Sequence, residues 1–70
     1  MSFSENIQNV RIQRNITQDE LAFELNVSRQ AVSKWENGDS YPKTQKLIQL
    51  AIYLGVSLDV LFKDELTMNN

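Results

Sequence analysis

The chain has 70 residues, 41% of them hydrophobic, a formal net charge of −2, and neither cysteine nor histidine. That is enough for one small domain near the lower limit of an unstapled core, and it excludes disulfides, thiolate or imidazole metal sites and the commonest general base. The longest mostly apolar stretch, LIQLAIYLGV at 47–56, is too short to span a bilayer and the start has no basic-then-apolar leader, so a cytoplasmic protein without membrane association is expected.

Apolar residues recur at helical spacing and nowhere alternate with a period of two, which predicts an all-α fold, a compact bundle of five short helices. The first runs from about Ser4 to Arg14 with Phe3, Ile7 and Val10 as its stripe, and Asn15 follows, a residue tolerant of the left-handed conformation that ends helices. TQDE opens the second: Thr17 stands at the N-cap and Glu20 three residues on, a capping box ahead of Leu21, Ala22 and Leu25, and Asn26 closes it. Ser28 caps the third, which stops at Gly38. After the loop GDSYP, Leu47, Leu50, Ala51 and Leu54 mark a fourth helix up to Gly55. Ser57 caps a fifth, with Leu58, Leu61 and Phe62 expected to point inward. The domain is expected to end near residue 66, with 67–70 a frayed tail.

The third helix, within NVSRQAVSKWENG, carries two different faces. Ala31, Val32 and Trp35 share one stripe, while Arg29, Gln30, Ser33, Lys34 and Asn37 fan out over the other. A solvated face usually interleaves Glu and Lys, but this one offers a guanidinium, an ammonium and several groups that both donate and accept, as a surface that reads another molecule would. It also lies in the one locally basic segment: residues 28–46 hold Arg29, Lys34, Lys43 and Lys46 against Glu36 and Asp39, whereas the flanking segments are acidic.

Only Asn26 and Val27 separate the second and third helices, so the chain must turn sharply, and Ala22 and Ala31 supply the small side chains a close crossing needs. This is the pattern of a helix-turn-helix. Over roughly residues 7–63 the sequence resembles the Xre-type, lambda-repressor-like family of DNA-binding domains: TQDELA, VSRQAVSKWENG, YP and LGVSLDVLF follow in the family's order. Two features depart from it. Thr44 stands where the family has an apolar residue at the start of helix four, which predicts looser packing there, and the acidic total charge predicts poor non-specific affinity for DNA.

The resemblance implies a transcriptional regulator, in the first place a repressor, binding a near-palindromic double-stranded DNA operator as a homodimer with no cofactor and no small-molecule ligand. Ser28, Arg29, Gln30, Ser33 and Lys34 would face the bases in the major groove. Thr17 and Gln18, at a helix N-terminus whose free amides suit a phosphate oxygen, would hold the backbone together with Asn37, Ser40, Tyr41 and Lys43 of the following loop. Arg11 would pair with Glu36 as a structural ion pair, Trp35 would be core, and Val56 and Leu58 would form the dimer contact. The alternative is an antitoxin or adaptor whose main partner is another protein. An enzyme is the weakest reading, because the chain lacks His, Cys and a glycine-rich phosphate loop and is too small for a deep pocket.

Overall fold

The computed structural model describes residues 2–63, so the expected domain end at 66 and the tail at 67–70 lie outside the described residues. Among the described residues there are five helices: α1 (Phe3–Gln13), α2 (Gln18–Leu25), α3 (Arg29–Asn37), α4 (Thr44–Leu54) and α5 (Leu58–Leu61). Their starts follow from hydroxyl chemistry. Ser2, Thr17, Ser28 and Ser57 each accept a bond from the amide three residues on, which satisfies a donor that the helix itself leaves free.

At α1 and α2 the cap is reciprocal, with Glu5 reaching back to the Ser2 amide at 3.0 Å and Glu20 to the Thr17 amide at 2.8 Å. Those backbone donors, followed by the cap hydroxyls, hold both carboxyls below the ordinary glutamate range. The box at Ser2 corrects the helix start expected at Ser4; Ser4 is already in the first turn, and Phe3 opens the helix. At the other ends Asn15, Asn26, Gly38 and Gly55 turn the chain at positive φ, from 56° to 81°. Helix α4 starts without a side-chain cap bond at Lys43, and Thr44 is exposed, while the neighbouring Pro42 is buried.

Helix α3 lies between α1 and α2, α4 covers α2, and α5 closes against α1 and α4. Phe3, Ile7, Leu21, Leu25, Val32, Leu50, Leu54 and Leu61 are all under 2% exposed and form the centre of the core. Each such side chain contributes roughly 1.5–3 kcal/mol of transfer free energy. Trp35 is buried beside them. Phe62 is half-buried because its ring stacks on Phe3 at 4.8 Å, and Tyr41 approaches the same Phe3 ring at 5.2 Å. Leu58 does not point inward as expected: it is 40% exposed. In a helix of one turn a single direction faces the core, and Leu61 takes it.

Asn6 sits in the same buried seam, on the side of α1 that the stripe Phe3, Ile7 and Val10 defines. Its Nδ2 donates to the carbonyls of Leu61 at 2.9 Å and Lys63 at 3.1 Å, so a side chain from α1 satisfies the end of α5, which is too short to hold itself. Asn6→Leu is expected to lower stability by about 1–3 kcal/mol, because it leaves these carbonyls without their donor. Urea unfolding checks this. The destabilisation should be accompanied by faster amide exchange at the C-terminal end of α5.

Candidate nucleic-acid interface

The turn between α2 and α3 is built by backbone bonds. Asn26 adopts φ 56° and ψ 47°, and the amide of Val27 donates to the Ala22 carbonyl at 3.0 Å. Lys46, from α4, donates through Nζ to the Leu25 carbonyl at 2.6 Å, tying off a further free acceptor at the end of α2. Ala22 is buried and Ala31 half-buried where the two helices cross. Val27 packs into the core, which leaves Ser28 to start α3.

Helix α3 buries Val32, Trp35 and Glu36 and exposes Arg29, Gln30, Lys34 and Asn37; Ser33 is half-buried at the edge of that open face. Ser28 Oγ accepts from the Ala31 amide at 3.1 Å, so the hydroxyl keeps its hydrogen for another partner. The first residues of α2 and α3 meet through their side chains: Arg29 Nε is 3.5 Å from Gln18 Oε1 and 3.7 Å from Asp19 Oδ1. Thr17 is exposed at the start of α2, and Ser40, Tyr41 and Lys43 are exposed on the loop that leaves α3 at Gly38. Tyr41 also belongs to the aromatic group with Phe3 and Phe62, so packing holds its ring at the surface.

Glu36 locks this arrangement from inside. Its Oε2 accepts from Arg11 Nε at 2.6 Å, and its Oε1 accepts from Arg11 Nη2 at 3.1 Å and from Gln18 Nε2 at 3.0 Å. Arg11 Nη1 completes its own set on the Ile16 carbonyl at 2.8 Å. The side chains are 12% and 2% exposed for Arg11 and Glu36. One carboxylate thus joins α1, α2 and α3. The expectation that Gln18 meets a phosphate, drawn from its place at a helix N-terminus, does not reveal that its amide group serves Glu36 through the nitrogen while its oxygen faces Arg29; a long-range contact of this kind leaves no local sequence signal.

Two short helices crossing at a left-handed Asn, with the second presenting a polar face, define a helix-turn-helix domain. The helix-turn-helix family pattern matches residues 7–61, and the chain belongs to that family in its Xre-type, lambda-repressor-like branch. The chain is 42% identical over 65 residues to the HTH-type transcriptional activator BcrR of Enterococcus faecalis, a match that covers 93% of this chain and 32% of that protein. It is 31% identical over 65 residues to the cryptic phage CTXphi transcriptional repressor RstR of Vibrio cholerae, covering 93% of this chain and 59% of that one. It therefore spans about a third of the length of the first of these relatives and about three fifths of the second.

Among solved structures, the P22 c2 repressor in complex with a synthetic operator superposes with a TM-score of 0.85 at 32% identity, covering 90% of this chain and 96% of that one. The restriction-modification controller protein C.AhdI of Aeromonas hydrophila superposes with a TM-score of 0.79 at 25% identity, covering 86% and 91%. Among the described residues no helix is long and apolar enough to cross a membrane.

Removing Glu36 should therefore damage the fold as well as the surface. Glu36→Ala is expected to cost roughly 3–5 kcal/mol, because it strands a nearly buried guanidinium and releases Gln18. Thermal and urea melts measure this. An unchanged midpoint would show that the pair contributes nothing to the folded state.

Proposed function

We propose that this chain is a sequence-specific double-stranded DNA-binding domain of a transcriptional regulator, acting as a repressor and binding a near-palindromic operator as a homodimer. The observation that carries the reading is the exposed polar face of α3, set beside the N-terminus of α2 by the Gln18 to Arg29 contact. The superposition on a repressor solved with its operator supports it. Helix α3 enters the major groove, where Arg29 bonds guanine O6 and N7 and Gln30 bonds adenine N6 and N7. Ser28, Ser33 and Lys34 complete the base-facing set.

Thr17 and Gln18 meet the sugar-phosphate backbone on one side, and Asn37, Ser40, Tyr41 and Lys43 meet it on the other; these contacts position the domain without reading sequence. Bound at a promoter, the dimer represses by occluding polymerase. No catalysis and no cofactor is needed.

Reading and holding have opposite signatures. Arg29→Ala or Gln30→Ala should lose about 1–3 kcal/mol on the preferred operator and bind operators changed at the matching base pair almost as well as the parent does. Lys43→Ala should weaken binding to all sequences alike and reduce the slope of log K against log salt by about 0.9 for each phosphate that Lys43 neutralises in the parent complex. Titration of these variants on operator and scrambled DNA at several salt concentrations tests both. Equal weakening of the two DNAs by Arg29→Ala and Gln30→Ala would overturn the assignment of α3 as the reading element.

The dimer contact is assigned to Val56, half-buried in the turn after α4, and to Leu58, 40% exposed at the start of α5. Pairing there would place two α3 helices about 34 Å apart, one turn of B-DNA. Leu58→Glu is expected to abolish two-site occupancy while leaving the monomer folded. Footprints on a full operator and sedimentation of the complex check it, and protection of one half-site by the parent protein at a one-to-one ratio would rule the dimer out.

A further inference from the structure

Phe23 on α2 is 83% exposed and Ile52 on α4 is 74% exposed, the most exposed large apolar side chains among the described residues. Neither belongs to the core or to the surface assigned to DNA. Each lies about 150° around its helix from the buried stripe, Leu21, Ala22 and Leu25 in one case and Leu50, Ala51 and Leu54 in the other. Ile48, one turn before Ile52, is 46% exposed and adds to the same side of α4.

Two clefts connect these residues. One, of about 340 Å³, lies among Asp19, Glu20, Phe23, Glu24 and Tyr53. The other, of about 260 Å³, shares Glu24 and Tyr53 and reaches Ile52. The two adjoin as one groove between α2 and α4, apolar at both ends and along Tyr53. Its charge is of one sign: Asp19, Glu20 and Glu24 line it, and among the described residues no Lys or Arg does. Asp19 is partly offset by Arg29 at 3.7 Å and Glu20 is engaged with the Thr17 amide, so Glu24 is the carboxylate most available to a partner.

We propose that this groove docks a basic, amphipathic segment of another protein, whose apolar side chain inserts between Phe23, Tyr53 and Ile52 while its Lys or Arg residues meet Glu24 and Glu20. An exposed apolar patch rimmed by charge is the usual form of a protein-binding surface. The sign of the charge selects the occupant. Carboxylates repel phosphate, which excludes nucleic acid, and a second copy paired symmetrically through the groove would set Glu20 and Glu24 against their own counterparts. No residue of α3 lines either cleft, so docking and operator binding use separate surfaces.

The test titrates a fluorescent amphipathic helix of Lys and Leu into the chain, beside a Glu and Leu helix and a Lys and Ser helix, and maps the site by backbone amide NMR shifts. The Lys and Leu helix should bind, with shifts centred on Phe23, Glu24, Ile52 and Tyr53. Phe23→Ser, Ile52→Ser and Glu24→Lys should each weaken it about tenfold. A Glu5→Gln, Asp59→Asn double variant, which lowers the acidic charge elsewhere, should leave binding unchanged. These side chains are exposed, so the variants should melt like the parent, and the shift map on the parent protein stands whether or not they do. Equal affinity for the Lys and Ser helix, or shifts spread over other acidic positions, would overturn the proposal. So would disappearance of self-association of the free chain on Phe23→Ser, which would assign the groove to a second copy.

Discussion

The buried carboxylate of Glu36 is the interaction on which the rest of the domain depends. An ion pair taken out of water contributes little to stability relative to an apolar pair of the same size, because desolvation offsets the Coulombic gain. Its effect here is directional. Glu36 can be satisfied only when Arg11 of α1 and Gln18 of α2 reach it together, with oxygens 2.6 to 3.1 Å from three donors. An apolar residue at this position would tolerate rotation of α3 about its axis; a carboxylate fixes it. That rotation decides which side chains α3 presents outward.

Helix α3 therefore serves the core and the surface with residues interleaved along nine positions. Val32 and Trp35 anchor it, and Arg29, Gln30 and Lys34 leave it on the other side. The helix is short and has no acidic residue in its first turn, so a Ser cap and burial hold it rather than propensity. Gln18 links the two roles. Its nitrogen is committed to the interior lock and its oxygen faces Arg29, so the lock and the start of the exposed polar face of α3 are one hydrogen-bonded chain.

The net charge of −2 is a poor guide to such a surface, because charge is partitioned by element. Basic groups gather on α3, its following loop and the start of α4, whereas α2 carries Asp19, Glu20 and Glu24 with no basic residue. Association with a polyanion is governed by the local field, which a mildly acidic chain can still make positive on one side. The acidic side of α2 coincides with the exposed Phe23 and the groove towards α4, so the two surfaces differ in both sign and polarity.

Much of the domain is legible along the chain. The caps at Thr17, Ser28 and Ser57, the left-handed turns at Asn15 and Asn26 and the inward stripe of α3 are determined within about one helical turn, where neighbours in sequence are neighbours in space. The family resemblance adds the Arg11 to Glu36 pairing, which local patterning alone does not contain. Only the tertiary structure decided the rest. Asn6 closes α5 across a separation of 55 residues, Lys46 reaches Leu25 across 21, and Gln18 turns to Glu36 across 18. It also decided that Leu58 and Ile52 face outward although their apolar character suits a core. Sequence determined where α2, α3 and α5 start and where the chain turns, because those events are paid for locally; which polar group meets which, and which apolar residue is left over, depends on how the helices are laid against one another.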